Sequence, residues 1–412
     1  MESRRWRTMA TTRSRRTKLM RIAHVADLHL GFRQYHRLTA RGRNQREVDV
    51  GLAFERAITG IIAEHPDAVI VAGDLFHAVR PTNSAILLAY RQFARLRAAL
   101  PDAPIVVIAG NHDTPRSSDT VSIFGLFHEL GLHVALDSAR RFAFPAHDLS
   151  VLAVPHQALF EEPRPGLEPA GPERHQVLVL HGETPGLFGD DRSVAEPGGA
   201  QLSESDLGRG QWSYVALGHY HVQHEVHERV WYSGALEYVS PNPWGELHDE
   251  HRRRIAAKGW LLVDLDSGLV VRRPIDPPRR VLDLPVLDGA DLAAPELDRL
   301  LAEAMESVLG GITEAVVRQV VRNVPRAVGR ELDHARIRAW KAEALHFQLD
   351  VRRPESPERN VGNAAPGQRQ TLPELLEDFL RKRPLPGGMD RADFVAQGVE
   401  LLASVEHTPG EE

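Results

Sequence analysis

Short, β-branched apolar runs alternating with helix-length stretches constrain this chain more than any other feature. The runs fall at 21–26, 68–72, 105–109, 176–180 and 214–217. They are nearly continuous in apolar character, as strands covered on both faces must be. Between them, 47–64 and 84–100 have helical length and periodicity, and 118–130 reads as a third helix with Ile123, Phe124, Leu126 and Phe127 as its apolar part. Strand–helix alternation of this kind predicts a layered α/β fold. Two later runs, 229–233 and 259–264, read as strands closing a second sheet.

The pattern changes after about residue 276. A strand at 280–284, a helical stripe through Leu297, Leu300, Leu301, Ala304, Met305 and Val308, and strands at 316–324 and 346–351 flanking a helix at 329–344 make a small α+β unit. The expected units are therefore 20–276, 277–353, a Pro/Gly/Asn-rich linker at 354–370, and a pair of amphipathic helices within 371–405. Those helices begin with capping-box spacing at Thr371 and Glu374, break at 384–388, and either dock on the body or await a partner. Residues 1–19 read as a basic disordered tail, or as an over-long start with Met20 as initiator. A transit peptide or a DNA-touching arm are the alternatives there.

All five runs of the first region end in metal-ligand residue types. They lead into Asp27 and His29, into Gly73-Asp74 with His77, into Gly110-Asn111-His112-Asp113, into His181-Gly182, and into Gly218-His219 with His221. Ligand sites of open α/β sheets lie beyond the carboxyl ends of strands, so five such clusters are expected to meet. Carboxylate, imidazole and amide oxygen without sulfur suit manganese, iron(II) or zinc. Period-two alternation would put Asp27 and His29 on one side of an extended segment, with His219 and His221 on the opposite wall. The glycines before Asp74, Asn111 and His219 are expected to let the backbone turn inward. Taken singly, each pattern is commonplace: a surface pair, a turn, a buried histidine. The weight lies in five recurrences at strand ends. His24, His65, His128, His156 and His224 fall outside the clusters and read as ordinary histidines.

In order, these motifs resemble the calcineurin-like metallophosphoesterase superfamily. Residues 21–31, the Gly73-to-His77 segment with its extra histidine, the stretch 231–237 and Lys258-Gly259-Trp260 resemble the SbcD-type nucleases of DNA double-strand-break repair. The resemblance covers 20–270 strongly and the small α+β unit more weakly; Pro241–Trp244 and the basic run 252–254 depart from it. It implies a four-layer metallophosphoesterase β-sandwich flanked by helices, a small α+β domain capping the DNA groove, and C-terminal helices that dock on an SbcC-type coiled-coil ATPase. It further implies two divalent metal ions, with manganese the expected choice. Asp27, His29, Asp74 and His221 would hold one; Asp74, Asn111, His181 and His219 would hold the other, with Asp74 bridging. By the same resemblance His112 would stabilise charge or protonate the leaving 3′ oxygen, and His77 would meet the scissile phosphate. Asp113 would orient His112 or its loop, or serve as a plain structural cap. A homodimer is implied, with Ile123, Phe124 and Phe127 as candidate interface residues or else core.

The expected activity is 3′→5′ exonuclease and single-strand endonuclease action on DNA. Two alternatives stand beside it. A formal net charge of −6 mildly disfavours a nucleic-acid binder and motivates a small-molecule or protein phosphoesterase. The linker and paired helices motivate an assembly subunit whose main task is to dimerise and hold an ATPase. The chain has no cysteine, which excludes disulfide frameworks and thiolate metal sites. Cytoplasm is the expected compartment, and no membrane span or ATP-binding phosphate loop is read in the sequence.

Overall fold

The computed structural model describes residues 19–114, 123–187, 198–208, 210–354, 371–383, 385 and 390–406. The chain runs β1 (Arg21–Val25), α1 (Gln45–Glu64), β2 (Ala68–Ala72), α2 (Asn83–Ala99), β3 (Ile105–Ile108), α3 (Gly125–Glu129), β4 (His133–Ala135), β5 (Arg140–Phe144), β6 (Leu149–Ala153), β7 (His175–His181) and β8 (Tyr214–Gly218). It continues through β9 (His224–His227), β10 (Val230–Tyr232), α4 (Pro243–Arg252), β11 (Gly259–Asp264) and β12 (Val270–Pro274). The small α+β unit follows as β13 (Val281–Asp283), β14 (Leu287–Asp288), α5 (Ala294–Glu306), β15 (Val316–Arg322), α6 (Arg326–Glu331), α7 (His334–Glu343) and β16 (His346–Val351). Last come α8 (Leu372–Lys382) and α9 (Arg391–Glu406). Most of the expected tail, of the linker and of the 384–388 break lies outside the described residues, as does the start of the helix expected at 118–130.

Two six-stranded sheets, ordered β12-β11-β1-β2-β3-β4 and β5-β6-β7-β8-β10-β9, are stacked face to face. The layer between them is mainly apolar, with Ile22, Ile70 and Val106 of one sheet meeting Val151, Val177 and Ala216 of the other, and with His24 hydrogen-bonded to the Tyr214 hydroxyl at 2.9 Å across it. On its other face the first sheet packs on α1 and α2, through Phe54, Ile58, Phe93 and Trp260. The outer face of the second sheet is covered by a 3₁₀ turn (His156–Phe160) and by the chain around Ala200, Leu207 and Trp212. This is the expected four-layer metallophosphoesterase arrangement. Burying both faces explains why β2, β3, β7 and β8 read as continuous apolar runs.

Two expectations need correction, one open alternative is decided, and some elements are new. The strand Gly259–Asp264 does not close the second sheet; it pairs antiparallel with β1 in the first. Its apolar run is equally suited to either sheet, and only long-range pairing chooses. The helix read at 329–344 is two helices, because Asp333 stops the first and caps the second through Ala335 N and Arg336 N. Phe124 and Phe127 are core residues against Phe76 and Phe93, not a free interface face. Helical core and interface stripes are alike in sequence. Finally, β4, β5, β6, β9, β12, β14 and helix α4 are elements that the sequence reading does not assign.

The small unit is joined to the body by charge and aromatic contacts. Asp49 of α1 accepts from Arg279 at 2.8 and 3.0 Å and from buried Arg46 at 3.1 Å. Arg46 also reaches the Tyr238 carbonyl at 2.8 Å and Glu237 at 3.3 Å. Tyr35 stacks on His346, and Trp244 of α4 donates to the Leu282 carbonyl at 3.0 Å. Removing Asp49 takes a shared carboxylate from two guanidinium groups, one of them buried, and leaves Glu237 and Glu314 as their remaining acidic partners. Asp49→Ala should therefore lower stability by about 3 kcal/mol in urea unfolding; a loss under about 0.5 kcal/mol would show that the network contributes nothing net.

Candidate metal centre

All five ligand clusters sit at one edge of the stacked sheets: three from β1, β2 and β3, two from β7 and β8. The chain after β1 stays paired with the chain after β2, through Asp27 N to Gly73 O (3.1 Å) and His29 N to Asp74 O (2.9 Å). It is not extended, however. Asp27, His29, Asp74 and His219 have φ of 53, 43, 50 and 98°, the left-handed region that non-glycine residues avoid. Convergence thus comes from left-handed turns at the ligands themselves, not from period-two alternation. Among the glycines, Gly73 turns as expected, at φ 94°. Gly110 and Gly218 act by close approach: a Cβ would stand 2.2 Å from Asp74 Oδ1 and 1.9 Å from the Ala72 carbonyl.

The two aspartates are bound in the same way. Asp27 Oδ1 accepts from the amide of His219 at 2.8 Å, tying the two sheets together. Asp74 Oδ1 accepts from the amide of His112 at 2.9 Å. In each, Oδ2 is buried and makes no hydrogen bond. Asp27, His29 and His221 bring ligand atoms within 4.8 Å of one another, and so do Asp74, His181 and His219. Asp74 Oδ2 lies between the groups, 3.6 Å from His29 Nε2 and 3.3 Å from His181 Nε2. Asn111 Oδ1 completes the second group at 2.9 Å from His181 Nε2 and 3.0 Å from His219 Nδ1. All seven residues expected as ligands meet there. Buried carboxylate oxygens without donors are costly, and hard and borderline cations suit this oxygen–nitrogen donor set. The residues fit a pair of divalent cations.

Partners behind the rings orient them. His181 Nδ1 donates to the Ala72 carbonyl at 2.8 Å, turning Nε2 inward. His221 Nδ1 faces Glu246 Oε1 at 3.3 Å, and Nε2 comes within 3.2 Å of His29 Nε2. Glu246 is clamped by Lys258 at 2.5 Å. Sequence reading passed over Glu246, since one acidic residue on an unrecognised helix carries no signal. Its pKa is held down to about 2: burial alone would raise it, but Lys258 and His221 outweigh burial.

His77 and His112 stack at 5.0 Å beside His29, and the three bring ring nitrogens within 4.8 Å. His112 Nδ1 faces the His77 carbonyl at 2.9 Å. The Asp113 carboxylate accepts from Leu75 N and Phe76 N, both at 2.8 Å, and from Gly110 N at 3.3 Å. It clamps the loops that carry Asp74 and His112. Burial, with the charge of Asp74, pushes Asp113 up to about 7.

Burial opposes protonation of His181, yet Asp74 and Asp27 raise its pKa from 6.5 to about 9. Asp74 in turn is held well below the usual carboxylate range: burial would raise it, but His181, His29 and His112 win. In metal-free protein the His181 charge stabilises the fold fully below pH 6.5, and that contribution is lost as pH rises through about 9. A ligating His181 must give up this proton, so cations compete with protons. Manganese affinity should fall by up to about tenfold per pH unit between pH 8.5 and 6.5 in calorimetric titration. Asp74→Asn should weaken both ions and, at neutral pH, lower metal-free thermal stability, because it removes the charge that holds the His181 proton; loss of one ion only would contradict a shared position.

Residues 20–223 match the calcineurin-like phosphoesterase family. The chain is 31% identical over 273 residues to the DNA double-strand break repair protein Mre11 of Methanopyrus kandleri, 61% of this chain and 55% of that protein. It is 31% identical to Mre11 of Sulfurisphaera tokodaii, covering 49% of each. Mre11 of Sulfolobus acidocaldarius is 25% identical over 371 residues, 88% of this chain and 90% of the relative. The chain thus spans about half the length of the first two relatives. Among solved structures, nuclease MPE of Pseudomonas putida aligns at 18% identity over 37% of this chain and 58% of that one, with a TM-score of 0.19.

Proposed function

Since this chain belongs, through residues 20–223, to the calcineurin-like phosphoesterase family, we propose that it is a two-metal DNA phosphodiesterase of double-strand-break repair. The observation that carries this reading is Asp74 Oδ2, buried without a hydrogen bond between two ligand groups. The names of the relatives support DNA as substrate.

When bound, the cations supply positive charge to the phosphate oxygens and lower the pKa of a water. The chain's own residues do the rest. Asp27, His29, Asp74 and His221 would hold one cation, and Asp74, Asn111, His181 and His219 would hold the other. His112, half-buried at the rim, donates a proton to the leaving 3′ oxygen. His77 beside it contacts the scissile phosphate, and Asp113 positions both loops. Manganese is the proposed ion, and 3′→5′ exonuclease with single-strand endonuclease action the proposed activity.

The small unit at 277–353 would cap the DNA groove. Helices α8 and α9 pack on each other, and Leu372, Phe379 and Leu401 on them are exposed. That exposure supports docking on an SbcC-type coiled-coil ATPase; a homodimer and a cytoplasmic setting complete the proposal. Among the described residues no helix is long and apolar enough to cross a membrane.

Linear duplex and single-stranded DNA incubated with manganese test the reading, with cyclic nucleotides and a nucleoside polyphosphate in parallel. DNA should be cut, and His112→Ala should slow cutting by about a hundred- to ten-thousand-fold while two ions stay bound. Preference for the small esters would overturn DNA as substrate. Deleting 371–405 should abolish ATPase binding without touching manganese-dependent cleavage.

A further inference from the structure

Glu183, outside both ligand groups, is a buried carboxylate just beyond β7. Its Oε1 stands 3.5 Å from His219 Nε2, and its Oε2 accepts from Gln201 Nε2 at 2.7 Å. Backbone bonds lock the two segments together: Glu183 N to Ala200 O and Leu202 N to Glu183 O, both 2.8 Å. Gly199 leaves room between the ring and the carboxylate. A Cβ there would lie 2.4 Å from His219 Nε2 and 2.8 Å from Glu183 Oε1.

A neutral imidazole carries one ring proton, and its position decides which nitrogen can ligate. His219 Nε2 is buried and makes no hydrogen bond, while Nδ1 is 3.0 Å from Asn111 Oδ1. A proton on Nδ1 would leave the Nε2 lone pair facing a carboxylate, which is repulsive. A proton on Nε2 faces that carboxylate favourably and leaves Nδ1 as a donor beside Asn111. Two donor atoms about 3 Å apart are spaced as adjacent ligands of one octahedral ion. In His221 the outer carboxylate, Glu246, sits on Nδ1 instead. The two histidines of one His-x-His motif would therefore ligate through opposite nitrogens.

We propose that Glu183, held by Gln201 and given space by Gly199, is a positioning residue that keeps the proton of His219 on Nε2 and so presents Nδ1 to the second cation. This rests on the two-cation reading of the centre. It predicts a selective effect: Glu183 governs one of the two ions and not the other.

Full-length wild type, Glu183→Ala and Glu183→Gln are titrated calorimetrically with manganese alone. Electron paramagnetic resonance of the loaded proteins and melting of the metal-free proteins accompany the titrations. Wild type should bind two ions as a spin-coupled pair. Glu183→Ala should weaken one ion by about 10–100-fold, with the other unchanged and the isolated-ion hyperfine pattern replacing the coupled signal. Glu183→Gln keeps an acceptor oxygen for Nε2–H and should recover most of that affinity with unchanged metal-free melting. Wild-type behaviour of both variants would overturn the role of Glu183 alone. Equal weakening of both ions, or a Gln variant that folds normally yet binds as poorly as Ala, would also overturn it. Wild type binding fewer than two ions would overturn the two-cation reading, and this inference with it.

Discussion

Everything at the ligand edge depends on two buried aspartates that each spend one oxygen on a backbone amide and turn the other toward imidazoles. Asp27 takes the amide of His219 from the facing sheet, and Asp74 takes the amide of His112 from the neighbouring loop. The first bond ties the facing sheets together at this edge, and the second ties two loops of one sheet. The two aspartates also concentrate negative charge where water cannot relieve it, which is unfavourable unless cationic charge arrives. Protonated His181 supplies it in the metal-free chain, and a divalent ion can take over.

The apolar sandwich supports this arrangement mechanically. Close packing between β1, β2 and β3 on one side and β7 and β8 on the other leaves strand ends little freedom. The left-handed conformations at Asp27, His29, Asp74 and His219 persist because pairing beyond the strands and the Asp113 clamp over-determine them. Helix α4 extends the support outward. Trp244 at its start reaches the small unit, and Glu246, two residues on, stands behind His221. A single helix thus connects interdomain packing to a ligand ring.

Much of this was legible beforehand, for identifiable reasons. Strands β2, β3, β7 and β8 announce themselves because both faces are covered, so their central residues are apolar. The ligand residues announce themselves because cations demand particular side chains directly after strands. Residues such as Glu183 and Glu246 do not, since a carboxylate behind a ring is set by spatial approach alone. The same holds for β11, whose apolar run could serve either sheet. Asp113 was seen, but its partners were not: three backbone amides, rather than the ring of His112.

Side-chain chemistry at five chain positions was enough to point to a metal site at one edge of an α/β sheet, because donor type and strand-end placement are both written locally; the order of those motifs carries the resemblance to the phosphoesterases. Which oxygen of each aspartate is committed, which nitrogen each histidine turns inward, and which acid stands behind it were settled only on folding. Those choices depend on hydrogen bonds between residues as much as 192 positions apart, as between Asp27 and His219. No local pattern encodes them, since they come from two sheets packing at a separation that their apolar interior dictates.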